Sequence, residues 1–302
     1  MAKVGLVTIT YNSESVLVGF LDSFIKQTYK DVILYVVDND SKDTTLLILE
    51  KYKYNNIKIV KNNKNAGVAS ANNQGIKEAL KDNCDKVLIV NNDIEFNKSL
   101  VAELIHFQNT YNCSLVAPKI MFYDHPNKIW YAGGQFEKYK GYLPIHRGIN
   151  SIDKGQFDVV MKVEYAPTCC LLINKEVFSD IGFMDENYFV YFDDTDFLYR
   201  IWQDKRHFLY YFPGEIVYHK VGSLTKSLYR KSNKLYRGDF FLKQMTRNHV
   251  YFLKKKNTFF SFVYILWLFF KNNLRFIFSR RIKKNIRTLI LINTAYFEGL
   301  RM

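Results

Sequence analysis

Short apolar segments alternate with amphipathic segments over the first 95 residues of the chain. The short segments are rich in valine, isoleucine and leucine, as expected for strands buried on both faces. Between them, apolar residues recur at helical spacing. Strands that alternate with helices through short connections predict a wound, mainly parallel sheet flanked by helices. The predicted strands are residues 3–10, 32–37, 57–60 and 87–90.

Polar clusters follow three of these predicted strands, at residues 10–12, 38–40 and 91–93. The carboxyl ends of parallel strands share one edge of a sheet, and α/β proteins bind ligands at that edge. The pattern therefore favours a nucleotide site there, although a single Asn-Asn-Asp cluster is also an ordinary strand-ending turn. No Gly-x-Gly-x-x-Gly follows the first strand and no P-loop motif occurs, which disfavours a classical dinucleotide fold and a P-loop NTPase.

Charge divides the chain into two parts. Residues 219–302 hold 19 lysines and arginines against 2 acidic residues, whereas residues 1–218 hold 24 against 27. This predicts a nearly neutral body with a basic C-terminal region that meets a polyanionic surface. The 4 cysteines lack metal-ligand spacing and the N-terminus lacks a signal-peptide pattern, so we expect a reduced, cytoplasmic protein.

The basic region contains a nearly continuous apolar run at residues 259–270. The run is shorter than the roughly 20 residues that a membrane-spanning helix needs. Aromatic residues beside clustered cations predict an amphipathic helix on the inner surface of the cell membrane. A packed pair of C-terminal helices, or pairing of two chains, would also explain the run. No nucleic-acid-binding motif is found, so we expect no nucleic-acid partner. The flanking cations are Lys254, Lys255, Lys256, Lys271, Arg275, Arg280, Arg281, Lys283 and Lys284.

A series of motifs spans about residues 3–225 and resembles the family 2 glycosyltransferases, in particular their rhamnosyltransferase-like subgroup. The resemblance implies a GT-A fold, a nucleotide-sugar donor and inversion at the anomeric carbon of the sugar. The motifs are TITYNS at 8–13, VVDNDS at 36–41, NKNAG at 63–67, LIVNND at 88–93, APKI at 117–120, WYAGG at 130–134, IGFMDE at 181–186, YFDDTD at 191–196 and VYHK at 217–220.

The resemblance implies that Asp38 accepts a hydrogen bond from the ring N–H of uracil or thymine. The residues alone leave a second interpretation open, in which Asp38 belongs to a helix-capping turn with Asp40 or Ser41. Gly67 allows the backbone of its loop to approach the nucleotide closely. The predicted nucleotide-binding residues are Thr8, Thr10, Tyr11, Asn12, Asp38, Asn39, Asn65, Gly67 and Asn92.

A divalent cation, Mn²⁺ or Mg²⁺, is implied at Asp93, which matches the last acid of the family's Asp-x-Asp motif. Asn91 occupies the place of the first acid, so the site has one negative charge fewer and should bind metal more weakly. His219 matches the family's later metal-ligand histidine, and imidazole suits Mn²⁺ better than Mg²⁺. A lone histidine before a basic stretch is otherwise an ordinary surface residue.

The catalytic base is expected in the Asp193-Asp194-Thr195-Asp196 cluster. The apolar spacing after it is helical, which places the acids in a first helical turn, where the helix dipole also favours them without any chemistry. The resemblance implies that Asp194 is the base, with Asp193 as the second choice. An inverting transfer is a single displacement that needs no covalent nucleophile. Contacts to the sugar or acceptor are expected from Trp130, Gly133 and Gly134, although Trp130 fits a core position equally well.

The predicted organisation is a catalytic domain at residues 1–222 and a basic helical region at residues 223–302. Within the catalytic domain, residues 1–95 would bind the nucleotide sugar and residues 96–222 would serve the acceptor and the chemistry. The predicted reaction moves a sugar, L-rhamnose as first choice, from a dTDP- or UDP-sugar to a glycan or a polyprenyl-linked saccharide. The alternatives are a sugar nucleotidyltransferase and a non-catalytic nucleotide-sugar-binding or membrane-scaffold protein, which Asn91 supports.

Overall fold

The computed structural model describes residues 1–52, 54–222, 234–278 and 286–302. The predicted cations Arg280, Arg281, Lys283 and Lys284 lie outside the described residues. The strands are β1 Val4–Thr10, β2 Val32–Asp38, β3 Ile57–Lys61, β4 Lys86–Val90, β5 Ile94–Phe96, β6 Leu115–Phe122, β7 His125–Tyr131, β8 Gly134–Glu137, β9 Leu143–His146, β10 Met161–Val163, β11 Cys170–Asn174 and β12 Leu209–His219. The helices are α1 Leu17–Ile25, α2 Thr45–Lys51, α3 Val68–Lys81, α4 Leu100–Thr110, α5 Lys175–Ile181, α6 Asp193–Asp204, α7 Lys234–Lys256, α8 Phe259–Phe278 and α9 Ile286–Arg301.

One large sheet runs through the molecule in the order β10-β12-β6-β11-β4-β1-β2-β3. Strands β1 to β4 are mutually parallel, β11 enters antiparallel between β4 and β6, and β12 runs parallel to β6. The short strand β5 pairs with the end of β12, and β8 and β9 form a separate hairpin. The predicted wound sheet flanked by helices is confirmed. Its parallel pairings lie among β1 to β4 and between β6 and β12, and the other neighbouring strands pair antiparallel.

The central strands carry the apolar core, as their sequences predict. All five residues of β4 are buried, as are six of the seven residues of β1. Helix α3 lies close against β1 because Gly75 has no side chain. A Cβ atom at that position would stand 2.4 Å from Cγ1 of Val7. The sheet therefore forms a rigid base whose carboxyl edge holds the polar residues.

The C-terminal region contains the helices α7, α8 and α9, which pack against one another. Helix α8 turns Tyr264, Ile265 and Leu268 inward and leaves a row of aromatic and aliphatic side chains exposed on its other side. No helix within the described ranges combines the length and the apolarity that a membrane crossing requires. The exposed residues of α8 are Phe259, Phe262, Val263, Leu266, Trp267, Phe270, Leu274 and Phe278.

Candidate functional site

The carboxyl ends of β1, β2 and β4 meet at one edge of the sheet, because the three strands are parallel neighbours. The side chain of Asn92, just after β4, connects two of these ends. Its Nδ2 atom donates to the carbonyl oxygen of Ile9 at 2.7 Å and to Oγ of Ser13 at 2.8 Å. The three polar clusters that follow the predicted strands therefore share an edge.

Asp38 lies buried at the end of β2, opposite Thr10 in the sheet register. Its Oδ1 atom accepts from the hydroxyl groups of Thr10 at 2.7 Å and Ser41 at 2.6 Å, and its Oδ2 atom accepts from the backbone N–H of Ser41 at 3.0 Å. A carboxylate has about four acceptor positions. Asp38 is thus held in a turn with Ser41 and retains acceptor capacity for a ring N–H. Helix α2 begins only at Thr45 and is preceded by Thr44 at the cap position, so neither Asp40 nor Ser41 caps it.

Thr8, Tyr11 and Asn12 lie on and just after β1, beside this carboxylate. The hydroxyl oxygen of Thr8 is buried and has no hydrogen-bond partner among the described residues. Tyr11 is half-buried, and Asn12 accepts from the backbone N–H of Lys42 at 2.7 Å. These three predicted nucleotide-binding residues therefore lie on or just after the strand that pairs with β2, at the same sheet edge as Asp38.

The amides of Asn39 and Asn65 shape the loop between β3 and α3. Nδ2 of Asn39 donates to the carbonyl oxygen of Gly67 at 3.2 Å, while its Oδ1 accepts from Nδ2 of Asn62 at 2.9 Å. Oδ1 of Asn65 accepts from the backbone N–H of Gly67 at 3.0 Å. Both predicted nucleotide-binding amides therefore make structural hydrogen bonds within the loop.

Gly67 joins the loop between β3 and α3 to a distant segment of the chain. Its φ of +86° lies in a region that other residues rarely adopt. A Cβ atom there would stand 2.6 Å from the carbonyl oxygen of Phe189, and that oxygen accepts from the backbone N–H of Val68 at 2.7 Å. The close approach that the glycine permits is thus to the segment preceding α6.

Asp93 and His219 meet on the opposite side of the β4 turn. Strand β12 pairs with β5 so that His219 faces Ile94, and the backbone N–H of Lys220 donates to the carbonyl oxygen of Asp93 at 2.9 Å. Nε2 of His219 lies 3.4 Å from Oδ1 of Asp93, and both side chains are buried. Asn91 is half-buried in the same turn.

The pair supplies one carboxylate oxygen and one imidazole nitrogen, a donor set that suits Mn²⁺ better than Mg²⁺. Nδ1 of His219 is buried and lacks a hydrogen-bond partner in the described part of the chain. Within that part, no group of three or more His, Cys, Asp or Glu side chains could hold a metal ion. A cation in a phosphate-binding site is commonly held by as few as one or two carboxylates together with substrate phosphates, so the single carboxylate of Asp93 is within that range.

Asp193 and Asp194 begin helix α6, as their sequence context predicts. Burial raises the pKa of Asp193 well above its ordinary value, and the charge of Asp194 adds to the rise. Asp194 is partly exposed. Its Oδ2 atom accepts from the hydroxyl group of Tyr165 at 2.5 Å, and its Oδ1 atom accepts from the backbone N–H of Thr195 at 2.6 Å. Tyr165, which no motif indicates, fixes the orientation of the expected base.

Asp196, in the same first turn, is buried and pairs with two partly exposed cations. Its carboxylate lies 3.0 Å from Nε of Arg200 and 2.8 Å from Nζ of Lys255 on α7. Lys255 also pairs with Asp185 at 2.6 Å. Asp196 therefore links helix α6 to the C-terminal region.

Three rings connect the Asp93–His219 pair to Asp194. The ring of Trp130 packs edge-on against His219, with centroids 4.6 Å apart, and against His146 at 4.7 Å. The ring of His146 stacks on Tyr165 at 5.8 Å. We call Trp130, His146 and Tyr165 the aromatic bridge.

The aromatic bridge stands in a buried setting between the Asp93–His219 pair and the carboxylate of Asp194. Burial lowers the pKa of His146, while the nearby carboxylate of Asp194 opposes that change. Gly133 and Gly134 are buried beside the bridge, and a Cβ atom at Gly134 would stand 2.7 Å from the carbonyl oxygen of Tyr165. The predicted sugar-contact residues thus lie between the metal candidates and the base candidate.

The chain is similar in sequence to a known family and to individual proteins. A family model described as "Glycosyl transferase family 2" matches residues 6–182. The chain is 28% identical over 166 residues to "Low-salt glycan biosynthesis hexosyltransferase Agl10" of Haloferax volcanii, covering 55% of this chain and 52% of that protein. It is 24% identical over 202 residues to "dTDP-rhamnosyl transferase RfbF" of Shigella flexneri, covering 66% and 63%. The matches span less than two thirds of either relative.

A solved structure shows the same fold over nearly the whole chain. The structure of S. aureus TarS 1-349 in complex with UDP superposes with a TM-score of 0.59 at 18% sequence identity. The match covers 99% of this chain and 81% of that one. At this level of identity the comparison establishes the GT-A architecture.

Proposed function

Because this chain belongs to glycosyl transferase family 2, we propose that it transfers a sugar from a nucleoside-diphosphate sugar to a hydroxyl group of a glycan or lipid-linked saccharide. The observation that supports the proposal is that Asp38 lies at the sheet edge next to the turn with the Asp93–His219 pair, and that the aromatic bridge connects this pair to Asp194. The backbone N–H of Asn91 also donates to the carbonyl oxygen of Cys169 at 2.9 Å, so the turn after β4 is anchored beside β11. The proposed catalytic domain is residues 1–222.

The proposed donor is a dTDP- or UDP-sugar. Asp38 would accept from the ring N–H of thymine or uracil through the acceptor capacity that Thr10 and Ser41 leave open. Thr8, Tyr11 and the loop at residues 63–67 would enclose the nucleoside. L-Rhamnose is our first choice of sugar, supported by the subgroup resemblance and by the match to the Shigella dTDP-rhamnosyl transferase.

A divalent cation would be held by Asp93 and His219, with Asn91 as a neutral neighbour. When bound, the cation would neutralise charge on the diphosphate as it departs. The chain supplies one carboxylate at this point, so we expect a requirement for Mn²⁺ or Mg²⁺ at concentrations higher than a site with two carboxylates would need.

The proposed chemical step is a single displacement. Asp194 takes the proton from the acceptor hydroxyl group while that oxygen forms a bond to the anomeric carbon. The bond from the anomeric carbon to the diphosphate oxygen breaks at the same time, and the nucleoside diphosphate leaves with both electrons. Tyr165 and the backbone N–H of Thr195 hold the base in place, and Trp130 lies where the sugar would bind.

We also propose that the exposed face of α8 lies on an anionic membrane surface, where a lipid-linked acceptor would be reached. Phe262, Trp267 and Phe270 are 60%, 46% and 61% exposed, which is costly in water. Lys271 lies over the ring of Trp267 at 4.4 Å, so this row of side chains combines apolar rings with positive charge. That combination is typical of helices in the membrane interface. The four cysteines are free and buried, as expected for a protein on the cytoplasmic face of the membrane.

The membrane proposal is tested by sedimentation with vesicles. The chain should bind vesicles of phosphatidylglycerol more strongly than those of phosphatidylcholine, and binding should fall with salt. Phe262→Glu/Phe270→Glu should abolish it. Absence of vesicle binding, together with concentration-dependent dimers that the same substitutions dissociate, would instead assign this face to a second copy of the chain.

The catalytic proposal is tested in two steps. Thermal-shift binding of UDP, dTDP, GDP and CDP, with and without Mn²⁺, should give a metal-dependent stabilisation by UDP or dTDP alone. Release of nucleoside diphosphate from a panel of dTDP- and UDP-sugars is then measured with glycan acceptors. Asp93→Ala and Asp194→Asn should both abolish transfer. Retained turnover in Asp194→Asn would favour a nucleotidyltransferase, and nucleotide binding without any turnover would favour a scaffold protein.

A further inference from the structure

Helix α7 follows the part of the chain that the family model matches, and it contacts the turn before Asp193. Its Asn248 is fully buried. Nδ2 of Asn248 donates to the carbonyl oxygen of Val190 at 2.9 Å and to that of Tyr191 at 2.8 Å. Both carbonyl groups belong to the turn that leads directly into Asp193. A side chain of the C-terminal region therefore holds the backbone next to the expected base.

The turn that Asn248 holds has an unfavourable backbone conformation. Tyr191 and Phe192 have φ angles of 65° and 70°, both in the left-handed region. Residues with a Cβ atom rarely adopt that region, because the side chain crowds the neighbouring backbone carbonyl oxygen. Two such residues in succession persist only where neighbouring groups fix them. The hydrogen bonds from Asn248 provide that support at the first of the two.

The peptide group between Val190 and Tyr191 connects Asn248 to Asp193. Its carbonyl oxygen accepts from Asn248, and its N–H hydrogen-bonds the carboxylate of Asp193. A peptide group is planar, so its carbonyl and its N–H rotate together. By fixing the carbonyl, Asn248 also fixes the donor that orients Asp193.

Neighbouring residues of α7 strengthen the same contact. The ring of His249 stacks on Phe192 with centroids 5.2 Å apart, and Nε2 of His249 bonds the carbonyl oxygen of Gly141 at 2.9 Å. One turn further along, Phe252 packs against Phe192. The left-handed turn is thus held between the catalytic domain and α7.

We propose that Asn248 is a positioning residue for the transfer reaction. It holds the left-handed turn so that the carboxylates of Asp193 and Asp194 face the site, and this role rests on the proposed function. The C-terminal region then contributes to catalysis itself, in addition to any contact with a membrane.

The test compares Asn248→Ala with Asn273→Ala in the full chain. Asn273 lies on α8 and donates to the carbonyl oxygen of Phe269 at 2.8 Å and to Asn293 at 3.1 Å, so its loss disturbs the C-terminal helices but not the turn. Hydrogen exchange should increase in peptides covering residues 188–196 for Asn248→Ala only. Transfer per folded molecule should fall about 10- to 100-fold, the cost typical of a misplaced catalytic group. Affinity for UDP or dTDP should stay unchanged.

The outcomes separate this role from a purely structural one. Unchanged turnover per folded molecule, or unchanged exchange at residues 188–196, would overturn the proposal, as would an equal loss of activity in Asn273→Ala. If Asn248→Ala does not fold, Asn248→Ser keeps one donor and should show a smaller effect in the same direction. If the wild-type chain transfers no sugar, the proposed function fails, and hydrogen exchange alone then decides whether Asn248 holds the turn.

Discussion

The hydroxyl group of Tyr165 offers a direct test of whether Asp194 is the catalytic base. Tyr165 is buried, and its hydroxyl group donates to Oδ2 of Asp194 at 2.5 Å. Replacing Tyr165 with phenylalanine removes this hydrogen bond and keeps the ring that stacks on His146. The backbone N–H of Thr195 would then remain at the other oxygen of the carboxylate. The change should therefore alter the orientation of Asp194 without disturbing the packing of the aromatic bridge.

The expected size of the effect follows from the charge of the acceptor. A hydrogen bond to a charged group contributes about 1.5–3 kcal/mol. If that amount is lost from the transition state, kcat falls about 10- to 150-fold. Asp194 is partly exposed and water can replace the hydroxyl group in part, so we expect a value near the lower limit. The KM for the donor should not change, because the hydroxyl group of Tyr165 donates to Asp194 and not to Asp38.

The assay measures release of nucleoside diphosphate at varied donor and acceptor concentrations, together with the melting temperature of each variant. Tyr211→Phe is the matched control, because Tyr211 is equally inaccessible to solvent and its hydroxyl group has no hydrogen-bond partner in the described ranges. The control should keep both kcat and stability. An unchanged kcat in a well-folded Tyr165→Phe would refute the idea that Tyr165 orients a catalytic Asp194.

Three further changes test other contacts. Gly67→Ala should lower the free energy of unfolding by about 1–3 kcal/mol, since only glycine accepts this backbone conformation and the new Cβ would meet Phe189, and urea unfolding measures the loss. Burial raises the pKa of Asp193, so the folded state binds the proton more strongly and wild-type stability falls as pH rises above about 4. The melting temperature of Asp193→Asn should therefore exceed that of the wild type more at pH 8 than at pH 5, and an equal difference at both would contradict this. Lys255→Met should cost about 1–3 kcal/mol, less than a fully buried pair, because its side chain is 30% exposed and Asp196 keeps a second cation. Lys254→Met, an exposed neighbour, serves as its control.

The sheet edge could be predicted from the sequence because the alternation of elements determines it. Parallel strands present their carboxyl ends together, so the ends at Thr10, Asp38 and Asp93 were expected at one edge, and they meet there. The pairing of His219 with Asp93 was expected only through the family resemblance. It depends on β5 and β12, which pair across a long stretch of sequence.

The residues that hold the acids in place could not be predicted. Tyr165 is one of 22 tyrosines, and Asn248 lies in a helix with no recognisable motif. Their roles arise from tertiary contacts, which neither spacing nor composition records. Tyr191 and Phe192 are still harder to anticipate, because local preference disfavours a left-handed backbone at aromatic residues. Such departures from local preference are most expected near functional sites.

The C-terminal apolar run illustrates a partial prediction. Its amphipathic character was expected, but helix α8 extends to Phe278, beyond the apolar residues 259–270. The inward face of α8 depends on α7 and α9, so the sequence pattern alone did not show which side chains remain exposed.

The dependence of the left-handed turn on Asn248 has a consequence for the newly synthesised chain. Proteins fold from the N-terminal end as they leave the ribosome. The end of β2 with Asp38 emerges early, whereas Asn248 follows 57 residues behind Tyr191. The turn before Asp193 therefore gains its support from Asn248 only after α7 has been synthesised, and a chain interrupted before that helix should leave the two acids without this anchor.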